Sequence, residues 1–122
     1  MSESAPDRLP AATPAELEAL WAQPPLEIEA DWAIFHIRNV YEIPGKGTYF
    51  FGKLLTGTLR LRQGVVVQGR AGYAEAVLNR ISFGPDLIER ASAGQLITLE
   101  LVRLAHRAMV LDLHEGCRLY GR

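Results

Sequence analysis

The sequence predicts an all-β domain, a barrel or a sandwich, standing behind one short helix. Three observations predict it. All eleven glycines lie after position 44 and five of the seven prolines lie within the first 25 residues, so composition divides the chain near residue 31. From Trp32 onward, short apolar runs rich in β-branched and aromatic residues are separated by Gly, Asn or Pro-Asp turns, with no helical period between them. Ahead of them stands a single helix-start signature, Thr13-Pro14-Ala15-Glu16.

Taken in order, residues 1–12 form an Ala/Pro-rich segment with no apolar periodicity. Thr13 then caps a helix, Pro14 suits its first turn and Glu16 completes a capping box. That helix is expected over about 14–23, stopped by Pro24-Pro25. Leu17, Leu20 and Trp21 give it one short apolar stripe, and a helix of this length needs something to dock on. Strands are expected near 32–41, 48–56, 58–62, 65–69, 74–83, 95–103, 107–113 and 117–120. The chain thus reads as an acidic N-terminal extension, residues 1–31, and a β domain, residues 32–122.

At 122 residues, 48% of them apolar, the chain is one domain able to bury a core without metal or disulfide. The single cysteine, Cys117, fits a reducing compartment. The N-terminus lacks the pattern of a signal peptide and no stretch reaches the length of a membrane span. The expectation is a cytoplasmic protein without membrane contact.

Net charge is −1, yet the charge is unevenly placed. Residues 1–31 hold seven acids against Arg8, whereas residues 32–122 hold twelve Lys and Arg against seven acids. Either both surfaces are simply solvated, or the acidic segment lies on the basic one, or the basic part meets an acidic partner.

Pro44-Gly-Lys-Gly-Thr48 has the look of a phosphate loop and fails as one. A Walker loop needs Gly, four residues, then Gly-Lys-Ser/Thr, and here Val40 replaces the first Gly and Gly47 the hydroxyl residue. No nucleotide is expected there. Gly45 and Gly47 instead suit a turn, and Gly52 within a strand suits the sharp bend of a small barrel.

The stretch from Phe35 to Leu59, Phe-His-Ile-Arg-Asn-Val-Tyr-Glu-Ile-Pro-Gly-Lys-Gly-Thr-Tyr-Phe-Phe-Gly-Lys-Leu-Leu-Thr-Gly-Thr-Leu, resembles the opening of the second domain of translational GTPases such as elongation factor Tu. Ile88-Glu-Arg-Ala-Ser-Ala-Gly94 with the following Gln-Leu-Ile-Thr-Leu99, and Asp112-Leu-His-Glu-Gly-Cys-Arg-Leu119, are similar to later segments of that domain in the same order. The resemblance covers about residues 34–120. It implies a six-stranded closed Greek-key barrel of the elongation-factor type. In the family this barrel follows a GTP-binding domain and usually precedes another β domain. Neither is found in these 122 residues, so the expectation is a stand-alone barrel without GTPase activity. The family barrel also helps hold the aminoacylated end of transfer RNA. The resemblance puts an acidic residue of that pocket at Asn39, its aromatic neighbour at Tyr41, the base-stacking glutamate near Ser82 and a pocket asparagine near Leu96. Only the aromatic character is retained. The turn Arg62-Gln63-Gly64 also departs from the family, where Gly comes slightly earlier.

Candidate sites follow from facing and charge. If Phe50, Gly52 and Leu54 point inward, alternation puts Tyr49, Phe51 and Leu55 outside, as a stripe that wants a cover. The cover is the helix with Leu17, Leu20 and Trp21, or a partner protein, or a second copy of the chain; otherwise the strand register differs. Arg outnumbers Lys eleven to two, and Lys46, Lys53, Arg60, Arg62 and Arg70 are the candidate RNA contacts of an alternative reading, alongside Arg103, Arg107 and Arg118 nearer the end. His106, His114 and Cys117, with Asp112 or Glu115, fall short of the four well-spaced ligands of a structural zinc site. Cys117, Ser82, Ser92 and Thr98 lack an activating motif. The expected function is a non-enzymatic binding module without cofactor, acting through protein contacts and linked to translation, with RNA binding as the alternative.

Overall fold

A computed structural model of the chain describes residues 13–43, 45–104, 111–113 and 116–122. Helix α1 spans Pro14–Trp21, and its start is the expected one: the Glu16 amide donates to Thr13 Oγ1 and the Thr13 amide donates to Glu16 Oε1. Nine strands follow among the described residues. They are β1 (Ala33–Ile43), β2 (Gly47–Thr56), β3 (Thr58–Arg60), β4 (Gly64–Gln68), β5 (Tyr73–Phe83), β6 (Asp86–Ile88), β7 (Arg90–Ser92), β8 (Leu96–Val102) and β9 (Arg118–Gly121).

Six of these close a barrel. Going round it, β4, β9, β1, β2, β8 and β5 pair antiparallel, and β5 returns to β4. Neighbours round the ring are thus drawn from distant parts of the chain, and closure gives each of the six strands a paired neighbour on both sides. The remaining three are short. β6 folds back on the end of β5, and β3 pairs with β7 in a separate two-stranded ribbon. The expected strand over 58–62 is therefore only Thr58–Arg60, because Arg62 turns the chain with a φ of 67°. The strand expected over 107–113 falls mostly outside the described residues; Leu111 and Asp112 lie in a turn.

The core is built by alternation. On β2, Phe50, Gly52 and Leu54 are buried while Tyr49, Phe51 and Lys53 are half-buried. Phe50 lies between Val40 of β1 and Leu99 of β8, and joins Phe35, Ile37, Leu78, Ile81 and Leu119 among the fully buried side chains. The β1–β2 register shifts between Ile37 and Asn39, opposite Gly52 and Phe51. That extra residue bends β1 just where Gly52 lets the strands close in.

One expectation about α1 is corrected. The helix does not lie over Tyr49, Phe51 and Leu55. It is seated on the loop joining β4 to β5, which lies across the ring from β2. Leu20 is its buried residue and rests against Gly72, where a methyl group would come within 2.9 Å of Leu20 Cδ2. Gln23 completes the seat: its Oε1 accepts from the Tyr73 amide at 3.0 Å and its Nε2 donates to the Tyr73 carbonyl at 2.6 Å. Trp21, assigned to the same apolar stripe, is 71% exposed. A helix with one deeply buried anchor docks where a glycine admits that anchor, and here that glycine is Gly72.

Leu20→Ala should therefore release the helix and leave the barrel intact. Removing the anchor costs the docked state about 2–3 kcal/mol. In hydrogen exchange the Tyr73 amide should lose protection while the Phe50 and Leu99 amides keep theirs; equal loss at all three would show that helix and barrel unfold as one unit.

Candidate functional site

The outer face of β1, β2 and β8 carries the expected stripe in altered form. Tyr49 is the register partner of Tyr41 on β1, and Phe51 stands two residues along on the same face. Tyr41 is exposed, and Tyr49 and Phe51 are half-buried. Leu55 is exposed too but does not join them. Lys53 separates it from Phe51, and four residues of strand place the two about 13 Å apart along the backbone. The structure thus brings together Tyr41, Tyr49 and Phe51 and leaves Leu55 at the far end of β2.

A polar cluster borders the aromatic patch. Glu100 of β8 is the register partner of both Tyr49 and Arg80. It is only 9% exposed, a cost that three donors offset. Tyr49 Oη donates to Oε2 at 3.5 Å, Asn79 Nδ2 donates to Oε1 at 3.4 Å, and Arg80 Nε lies 3.5 Å from Oε1. Arg80 is more than half exposed, so its pair with Glu100 orients the groups more than it stabilises the fold. The phenol of Tyr49 is thereby held at the edge of the patch. Sequence reading missed this cluster, because Asn79 and Glu100 meet only through the β5–β8 pairing.

Asn39, Phe51, Thr98 and Ser82 form one continuous row across β1, β2, β8 and β5. Tyr41 lies beside that row and Leu96 two residues from Thr98. The four positions to which the elongation-factor resemblance assigns pocket roles therefore border a single outer face. Their present side chains are an amide, a phenol, a hydroxyl and an aliphatic group, with Phe51 in their midst.

The candidate basic residues do not share a face. Lys46 sits at the turn between β1 and β2 and Lys53 within β2. Arg60 lines a cleft at the β3–β7 ribbon, Arg62 turns the chain beyond it, and Arg70 lines a second, smaller cleft with Arg118. Among the metal candidates, His106, His114 and Glu115 lie outside the described residues. Cys117 is a buried free thiol and Asp112 is in a turn. Among the described residues no group of three or more His, Cys, Asp or Glu side chains converges, and no helix is long and apolar enough to cross a membrane.

The fold defines a class: a closed six-stranded antiparallel barrel like those of translation factors. The crystal structure of GDP-bound aIF5B from Aeropyrum pernix superimposes with a TM-score of 0.58 at 18% sequence identity, over 79% of this chain. The match takes in 17% of that chain, so the likeness is to one part of a much larger protein and is a likeness of fold. No protein-family model matches the sequence, and no curated protein matches it.

Proposed function

We propose that this protein is a non-enzymatic binding module, a translation-factor-like barrel of the second-domain kind that engages a protein partner of the translation apparatus through the outer face of β1, β2 and β8. The observation that carries this reading is the aromatic patch of Tyr41, Tyr49 and Phe51, which α1 leaves uncovered because it is seated on the β4–β5 loop. A patch of aromatic rings with a polar rim is the composition of a protein contact surface. The replacements around it point the same way. Asn39 and Ser82 lack the carboxylates, and Leu96 the amide, that the resemblance places in a nucleotide-end pocket, while Phe51 adds apolar area. Leu55 contributes at most the margin of such an interface.

The test is capture from cell extract by the full chain, with and without nuclease, beside a Tyr49→Ser/Phe51→Ser variant. A partner retained after nuclease and reduced by about tenfold or more in the variant supports the reading, since two aromatic anchors commonly contribute at least that much. Capture unchanged in the variant would remove the patch from the mechanism. Capture abolished by nuclease would transfer the function to the alternative, RNA binding, for which Arg60 has the most developed surroundings.

A further inference from the structure

The β3–β7 ribbon stands beside the start of β1 and the end of β9, and between them lies a cleft of about 500 Å3. Its basic wall is Arg60, Arg90 and Arg122, and Asp31 is the acid on its lining. Arg60 and Arg90 are direct register partners across the ribbon. Antiparallel partners project to the same face with Cβ atoms about 5 Å apart, an arrangement in which like charges destabilise the pair. Among the described residues neither guanidinium has a hydrogen bond or ion pair. Arg122 differs, because Glu75 neutralises it at 3.1 Å. A ribbon with three residues in each strand thus carries two facing cations without a direct ion pair, although it has little pairing to offset their repulsion.

Gln63 also links two walls of the cleft. Gln63 Oε1 accepts from the Arg60 amide at 2.9 Å, and Gln63 Nε2 donates to the Arg122 carbonyl at 2.8 Å. One side chain therefore ties the ribbon wall to the wall formed by the end of β9.

We infer that this cleft binds a phosphate group, with Arg60 and Arg90 as its two ligating forks. A guanidinium presents paired N–H donors that match phosphate oxygens, and two of them match the double charge of a phosphate better than the single charge of a carboxylate. The volume admits a phosphate together with the sugar or second phosphate attached to it. The site is separate from the aromatic face and does not depend on the protein-contact reading. The phosphate belongs either to an RNA backbone or to a small phosphorylated molecule, and the two are told apart by experiment.

Calorimetric titration of the full chain at low salt, with inorganic pyrophosphate and with a short oligouridylate, provides the test. Three proteins are compared: the natural chain, Arg60→Gln/Arg90→Gln, and Lys46→Gln/Lys53→Gln. The natural chain should bind at least one probe, and the arginine variant should bind it about tenfold more weakly or worse. The lysine variant should stay within about twofold, its cations being outside the cleft. Because a like-charge pair is removed, the arginine variant should melt at the same temperature as the natural chain or higher. Pyrophosphate binding alone identifies a small phosphorylated ligand. Oligouridylate binding with a salt slope reduced by about 1.4, two contacts at about 0.7 each, identifies the backbone. Binding of neither probe, equal weakening by both variants, or a lowered melting temperature in the arginine variant would overturn the inference.

Discussion

Phe50→Ala lowers the unfolding free energy by about 3–5 kcal/mol, whereas Phe51→Ala, one residue further on, changes it by about 1 kcal/mol or less. The contrast follows from the period of a strand. Phe50 is fully buried between Val40 and Leu99, so its loss leaves a cavity that the closed sheet cannot collapse. Phe51 faces outward between Asn39 and Thr98, where water replaces the ring. For binding the order reverses, since Phe51 belongs to the patch proposed to meet a partner. Urea titrations of the two variants measure both values. A larger loss at Phe51 than at Phe50 would mean that the strand sits one residue out of the described register, which exchanges its two faces.

Gly52→Ala is expected to destabilise by about 3 kcal/mol, at the upper end of overpacking effects. A methyl group there would overlap the His36 carbonyl oxygen and meet the Phe35 ring at 2.9 Å. The obstacle is backbone, so a side-chain rotation does not remove it. Gly45→Ala is the useful comparison, because a methyl group at that exposed turn has nothing within 4 Å and incurs only the strain of its φ of 78°. Thermal denaturation of the pair separates crowding from backbone conformation. A Gly52 variant as stable as the Gly45 variant would show that the two strands can part at this point.

These two predictions rest on features that were legible in the sequence. Alternation over Tyr49 to Leu54 was long enough to assign faces, and Gly52 within an apolar run marked the bend. The Thr13 and Glu16 capping pair fixed the start of α1 for the same reason, since the contacts involved span three residues. The seat of α1 was not legible. Its anchor site is a glycine more than fifty residues away, and nothing in the local composition distinguishes Gly72 from the other turn glycines. The cleft shows the same limit from the side of function. Arg60 stood out as a basic residue near a turn, but its partners Arg90 and Arg122 are set by a ribbon register and by barrel closure. Strands of three residues hold too few periods to announce themselves, so the separation of the β3–β7 ribbon from the barrel had no sequence signal. Lys46, Lys53 and Arg70 were grouped with Arg60 on charge, and the fold distributes them over different places.

The pairing of β9 has a bearing on how the barrel is made. Residues 118–121 pair with β1 on one side and with β4 on the other, and so bring together segments some eighty-five and fifty-three residues apart in sequence. The hairpins β1–β2 and β4–β5 form from near neighbours, yet each keeps a bare strand edge until β9 arrives. Loop-closure entropy for these distant contacts comes before their reward, which places the protein among slow-folding topologies. During synthesis the edges of β1 and β4 are therefore the last surfaces to be satisfied. That interval is when another chain's strand competes most effectively for the position of Arg118–Gly121.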